Sequence, residues 1–152
     1  MARVIVPLAD CPEHRHQVTD WLWQAFGHGA SREFYAAIVD SSLRREGLPI
    51  TFIALDDGQP AGTVGLWRCD LLTRQDLTPW LAALYVDERQ RGKGLGRELQ
   101  RFTIDFSRRA GFANLYLYAT FSGYYERNGW EPMGDGIEYP ALPVHLYRLP
   151  AG

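Results

Sequence analysis

Cysteine is scarce in this sequence: Cys11 and Cys69 are the only two among 152 residues, too few for the disulfide framework of a small secreted fold. Their spacing demands no bridge, so both are expected to be reduced and structural, as in a reducing compartment. Long apolar runs are lacking as well. None approaches the roughly 18 residues that read as a membrane-spanning helix, and the N-terminal stretch MARVIVPLADCPEHRH turns polar too early for a signal peptide. A cytoplasmic protein with no membrane partner is expected. Nor is there a basic excess: the net charge is −2 and the isoelectric point near 6.1, which argues against a nucleic-acid partner. His14 and His16 fall on different sides of a helix and no Cys-x-x-Cys pair exists, so no metal is expected.

What is present is ordinary globular composition, 46% hydrophobic and 22% charged. The length suits a single domain, residues 1–152, with a core that needs no staples. Charge is uneven along it. Between Arg89 and Arg109 seven basic residues face two acids, Glu98 and Asp105, leaving net +5 there and −7 over the rest. A basic segment on an acidic chain points to a discrete anion site.

Punctuation and periodicity divide the chain. Asp10-Cys11-Pro12-Glu13 reads as a capping box opening a helix from Pro12 to Phe26, and Gly27-His28-Gly29 stops it. Ser31 caps a second helix through Arg45, with Phe34, Ile38 and Leu43 on one side. Residues 51–55 (TFIAL) and 61–68 (AGTVGLWR) flank a turn-rich spacer and predict an antiparallel hairpin. Residues 80–86 (WLAALYV) are apolar enough for a central strand covered on both faces. From Gly94 to Arg109, Leu95, Leu99, Phe102 and Phe106 recur at helical steps and are expected in the core. A strand over 115–119, a short helix near 122–128 and a closing strand over 144–149 complete an α/β fold: a mixed sheet with a strand–helix–strand crossover at its centre.

The most informative stretch is Arg91-Gly92-Lys93-Gly94-Leu95-Gly96-Arg97, between the central strand and the helix. Its first turn is nearly free of side-chain bulk, so unpaired amides at the helix end face open space, and Arg91, Lys93 and Arg97 add positive charge. Such a junction receives an anion, and a pyrophosphate fits it. A nucleoside-triphosphate P-loop fails, because Lys93, the only lysine, is followed by Gly94 rather than Ser or Thr. The dinucleotide fingerprint needs G-x-G-x-x-G, whereas the spacing here is G-x-G-x-G with half the chain before it. The pattern [QR]-x-x-G-x-[GA] is satisfied.

That segment resembles the coenzyme A loop of the GNAT superfamily of N-acetyltransferases. The resemblance extends through the strand end Tyr85-Val86, the helix closing on Arg109-Ala110-Gly111-Phe112, the strand Leu115-Tyr116-Leu117-Tyr118, and Tyr124-Tyr125-Glu126-Arg127-Asn128-Gly129-Trp130. It covers about Trp80 to Trp130. It implies a GNAT-like fold, with a mostly antiparallel central sheet, one parallel crossover and flanking helices, and acetyl-coenzyme A (acetyl-CoA) as co-substrate. Main-chain groups of Leu84, Tyr85 and Val86 would hold the pantetheine arm, and Arg91, Gly92, Lys93, Gly94, Leu95, Gly96 and Arg97 would wrap the pyrophosphate. A Cβ at Gly92, Gly94 or Gly96 is expected to obstruct that approach. Tyr125 aligns with the tyrosine that protonates the departing thiolate. Where the family often places an asparagine seven residues before that tyrosine, Tyr118 stands, and Thr120 is expected to supply some of the lost hydrogen bonding.

Amine acetylation also needs a proton acceptor, since an amine with a pKa near 10 is mostly protonated at neutral pH. Some relatives carry a glutamate on the central strand, where this chain has Trp80, and residues 80–86 hold no carboxylate or histidine. Asp70, Asp76, Glu138 and His145 remain as candidates, none singled out. The acceptor is expected to be a primary amine of a small molecule or peptide, drawn by the acidic remainder of the chain, with Trp80 either walling the cleft or plugging the sheet edge. Small members of the family often pair, so a homodimer belongs to the expectation. Two rival readings stand beside the enzyme: a non-catalytic acyl-CoA sensor, and a nucleotide binder that uses no thioester.

Overall fold

The structure is a computed structural model describing residues 2–152. Along the chain run β1 (Arg3–Pro7), α1 (Arg15–Phe26), α2 (Arg32–Ser41), β2 (Ile50–Asp56), β3 (Gln59–Trp67), β4 (Trp80–Val86), α3 (Leu95–Arg109), β5 (Asn114–Ala119), α4 (Tyr124–Arg127), β6 (Glu131–Glu138) and β7 (Leu142–Pro150). The strands form one seven-stranded sheet in the order β1-β2-β3-β4-β5-β7-β6. Every neighbouring pair is antiparallel except β4 and β5, which α3 joins as a parallel crossover. Among the described residues no helix is long and apolar enough to cross a membrane.

Two strands lie outside the sequence expectation. β1 pairs Arg3–Pro7 with Phe52–Asp56 at the sheet edge, and β6 pairs with β7 in a C-terminal hairpin. β1 is only five residues long and half exposed; β6 carries two glycines and a proline, so neither alternates strongly. The first helix is shorter than expected. Pro12–His14 forms a 3-10 turn and α1 begins at Arg15, with no side-chain cap from Asp10, whose carboxylate instead pairs with Arg45 Nε at 2.5 Å. The second helix does start at Ser31, whose Oγ accepts from the Phe34 amide at 3.1 Å, but it ends at Ser41 rather than Arg45. Val39 is its buried residue, while Phe34 is exposed and Leu43 lies beyond the helix.

The sheet is covered on both faces. Against one lies α3, where Leu95 and Leu99 are buried and Phe102 and Phe106 pack edge-on to Phe52, with ring centroids 5.0 Å apart in each case. Against the other lie α1 and α2, burying Val18, Trp21, Leu22 and Val39 with Trp67 and Ala82. A third cluster, Leu71, Trp80, Tyr116, Val144 and Leu146, fills the end near the β3–β4 loop.

Candidate functional site

Alternation along β4 fails at one place. Leu81, Leu84 and Val86 pack toward α3, while Ala82, Ala83 and Tyr85 pack toward α1 and α2, so two consecutive alanines share a face. The extra residue is a β-bulge: Thr63 pairs with Tyr85 and Gly65 with Ala82, three steps on β4 against two on β3. Ala83 takes φ 52°, unusual for a residue with a Cβ. Strands β4 and β5 share the single rung Trp80↔Tyr116, with the Tyr116 amide donating to Pro79 O at 3.1 Å, and then part. Leu84, Tyr85 and Val86 therefore border an opening in the middle of the sheet. Tyr118, two residues past the rung on β5, stands level with Ala82 across it.

Beyond β4, a 3-10 turn at Glu88–Gln90 leads into the glycine stretch. Gly92 and Gly94 have φ 80° and 83°, the left-handed region, and an added Cβ at either would meet no protein atom within 4 Å. The space above both is open. Gly96 differs: its φ is ordinary and a Cβ would make normal contact with Val86 Cγ2 at 3.8 Å. Gly94 is the N-cap of α3 and offers no side chain to the first-turn amides of Leu95, Gly96 and Arg97, which lack intrahelical partners. Arg91 acts differently from a free cation. Its Nε donates to Val86 O at 2.9 Å and its guanidinium lies 5.3 Å from the Tyr85 ring centre, tying the loop to the strand. Lys93 and Arg97 are exposed beside the open amides, and the first-turn acid Glu98 is paired with Arg3 from β1. This junction has the shape, the donors and the charge for a diphosphate.

Tyr125 lies on the α3 side of the sheet, on the four-residue α4. Glu126 fixes that turn, accepting from the Gly123 amide at 2.7 Å and from Tyr147 Oη at 3.0 Å. Rings of Phe121, Tyr124, Trp130 and Tyr147 surround Tyr125 at centroid distances of 5.0 to 6.0 Å. Its hydroxyl bonds to no described residue. Burial, then Tyr124, pushes its pKa above the ordinary phenol value, so it stays protonated at neutral pH. Thr120 is exposed just past β5.

The opposite side of the opening holds acids that stand far apart in the sequence. Tyr118 Oη donates to Glu138 Oε2 at 2.5 Å, which fastens β6 to β5. The β3–β4 loop is strapped to the same strand, with Thr73 Oγ1 donating to Ile137 O at 2.8 Å and Leu71 packed over Gly136. Asp70, on that loop, lies within the field of the Glu138 charge. Its burial, reinforced by the Glu138 charge, raises its pKa to about 7. Tyr35 of α2 completes the group, its pKa raised by burial and then by Glu138 and Asp70. The other two candidates are engaged elsewhere: Asp76 is exposed and paired with Arg74, and His145 with Asp135 at 3.4 Å. Trp80 is fully buried with Nε1 donating to Leu77 O at 2.6 Å, so it belongs to the core and not to a cleft wall. No local signal in the sequence marks either Asp70 or Glu138 as one half of a pair. A hollow of about 430 Å³ near Phe106 and Arg109 lies at the far end of α3 from the glycine stretch.

A family model described as acetyltransferase (GNAT) family matches residues 15–130. Among solved structures, an aminoglycoside 6'-N-acetyltransferase complexed with coenzyme A is similar over 98% of this chain and 97% of its own, at 15% identity and a TM-score of 0.76. The aminoglycoside 6'-N-acetyltransferase from Enterococcus faecium is similar over the same shares, at 15% identity and a TM-score of 0.72. A chain of the NatC complex bound to Gag peptide and CoA is similar over 100% of both chains, at 18% identity and a TM-score of 0.73. No curated protein sequence is a match.

Proposed function

Because the chain belongs to the GNAT acetyltransferase family, we propose that it moves the acetyl group of acetyl-CoA to a primary amine of a small molecule or peptide, by direct attack in a ternary complex. One observation carries the reading: open first-turn amides of α3, capped by left-handed Gly94, stand at the mouth of the gap between β4 and β5. Amides of Gly92 to Arg97, with Lys93 and Arg97, would hold the diphosphate. The edges of Leu84, Tyr85 and Val86 would align the arm along the opening. When bound, acetyl-CoA supplies a thioester, an acyl donor with a tolerable leaving group. Tyr125 is the proton donor to the departing sulfur, and Thr120 borders the same end. Proximity of amine and acyl carbon in the gap provides most of the acceleration.

The whole stretch 1–152 acts as one catalytic domain in this proposal, in the cytoplasm, with pairing into a homodimer as its assembly. The sensor alternative draws on the absence of a carboxylate from β4, and turnover of an amine would remove it. Calorimetry with acetyl-CoA, followed by free-thiol release against an amine panel, tests the reading. Micromolar binding and turnover of at least one amine are expected. Absence of binding overturns it, and stronger stabilisation by a nucleoside triphosphate than by acetyl-CoA would favour a nucleotide binder.

A further inference from the structure

We propose that Glu126 and Tyr147 are positioning residues for acetyl transfer: together they hold the α4 turn so that the Tyr125 hydroxyl meets the departing sulfur. This deepens the acetyl-transfer reading and rests on it. A helix of four residues is a single turn, too short to keep its place by its own hydrogen bonds. Its orientation is set from outside. Glu126 does this with both oxygens: Oε1 accepts from the Gly123 amide at 2.7 Å, which closes the turn, and Oε2 accepts from Tyr147 Oη at 3.0 Å, which fastens the turn to β7. Its own amide, then that of Gly123 and the Tyr147 hydroxyl, hold the carboxyl below the ordinary carboxylate range, so a charged acceptor strengthens both bonds at neutral pH.

Tyr147 is a fixed point. It is 1% exposed and lies on a strand paired on both sides, opposite Leu117 of β5 and Pro132 of β6. Its hydroxyl has no partner but Glu126 among the described residues. Consecutive side chains on a helix point about 100° apart, so holding Glu126 against β7 fixes the rotation of the turn and with it the direction of Tyr125. The other contacts of Tyr125 constrain it less. The rings of Trp130 and Tyr147 press on it at 6.0 and 5.6 Å, and Phe121 stacks at 5.8 Å while half exposed itself. Ring packing of this kind resists tilting but gives a hydroxyl no direction. From α3, Gln100 Nε2 donates at 3.3 Å to Tyr124 Oη, which holds the neighbouring residue and not Tyr125.

Direction matters because proton transfer needs donor and acceptor within hydrogen-bond reach, and a misplacement of about 1 Å costs up to about 100-fold in rate. As the C–S bond breaks, the sulfur takes the Tyr125 proton; the proton that the amine nitrogen sheds on forming the C–N bond returns to the phenolate through water. Neither Glu126 nor Tyr147 touches the reacting atoms. Both act through Tyr125, and neither belongs to the glycine junction that would hold the diphosphate.

The test compares Tyr147→Phe, Glu126→Gln and Glu126→Ala, each alone and combined with Tyr125→Phe, by thiol release with an amine that the parent turns over and by calorimetry with acetyl-CoA. Tyr147→Phe keeps the buried ring and loses only the hydroxyl, so it preserves the fold, which circular dichroism checks, even where Glu126→Ala does not. It should lower kcat about threefold to tenfold, and Glu126→Ala about tenfold, with acetyl-CoA affinity within about twofold of the parent. Glu126→Gln keeps one accepting oxygen and should fall between the parent and Glu126→Ala. On the Tyr125→Phe background none should cost more than about a further twofold, because the proton donor they aim is gone. Parent-like kcat in Tyr147→Phe, or an undiminished loss on the Tyr125→Phe background, overturns the assignment. A Tyr125→Phe enzyme with the parent's rate overturns it as well and leaves acetyl transfer standing. A parent that releases no thiol with any amine sinks acetyl transfer itself, and the positioning role with it.

Discussion

Asp70→Asn should make the protein more stable, and only at higher pH. In the folded state burial and Glu138 raise the Asp70 pKa from 3.8 to about 7. Between those values the native state holds a proton that the unfolded chain has lost, so stability falls as pH rises through the window and is flat above it. At about 1.36 kcal/mol per pH unit, the width of that window sets a ceiling of ~4 kcal/mol. Asp70 keeps some solvent contact, and screening by water reduces the expected penalty to about 2 kcal/mol. Asparagine has nearly the same shape and no charge to desolvate. At pH 8 the variant should therefore melt about 4–8 °C above the parent, given about 2–4 °C per kcal/mol in a chain of this size. At pH 4 both should melt together. Paired thermal scans by circular dichroism at the two pH values measure this. An equal difference at both, or a destabilised variant at pH 8, would refute the buried-carboxyl argument.

Gly94→Asp places a carboxylate at the positive end of α3 and a Cβ at φ 83°; strain of about 1–2 kcal/mol leaves the fold intact by circular dichroism, while acetyl-CoA binding in calorimetry should be abolished. Unchanged affinity would count against the diphosphate site. Tyr125→Phe should lower kcat about 10–100-fold with acetyl-CoA affinity within about twofold, because a thiolate leaves tolerably without a donor; parent-like turnover would strip Tyr125 of its role. Ser31→Ala removes the one side-chain acceptor for the α2 start at Phe34 N and should cost about 1 kcal/mol in urea titration, a loss absent only if water caps the helix as well.

The strongly periodic elements are legible in the residues alone. WLAALYV is β4 to the residue, and the helix after the glycines ends at Arg109 as its arginines and glycine stop indicate. The open helix start after the glycines is legible too, since it is a local matter of glycines and helix-end amides. Short strands with little alternation are not, and β1 and β6 carry no signal strong enough to read. Aromatic residues give no warning of their fates: Trp80 is sealed in the core while Phe34 is half exposed, and composition treats them alike.

By itself the sequence determined where backbone amides go unpaired, because that depends on neighbours within a few residues. That Asp70 feels the charge of Glu138, sixty-eight positions away, was decided by the tertiary structure alone. β7 inserts between β5 and β6, which carries Glu138 outward to where the Thr73–Ile137 strap can bring the β3–β4 loop. The bulge at Ala83 is of the same kind, since a strand's extra residue exists only relative to the partner it pairs with. Carboxylates acquire proton-accepting character from desolvation and from one another's field, and both are properties of distance through space.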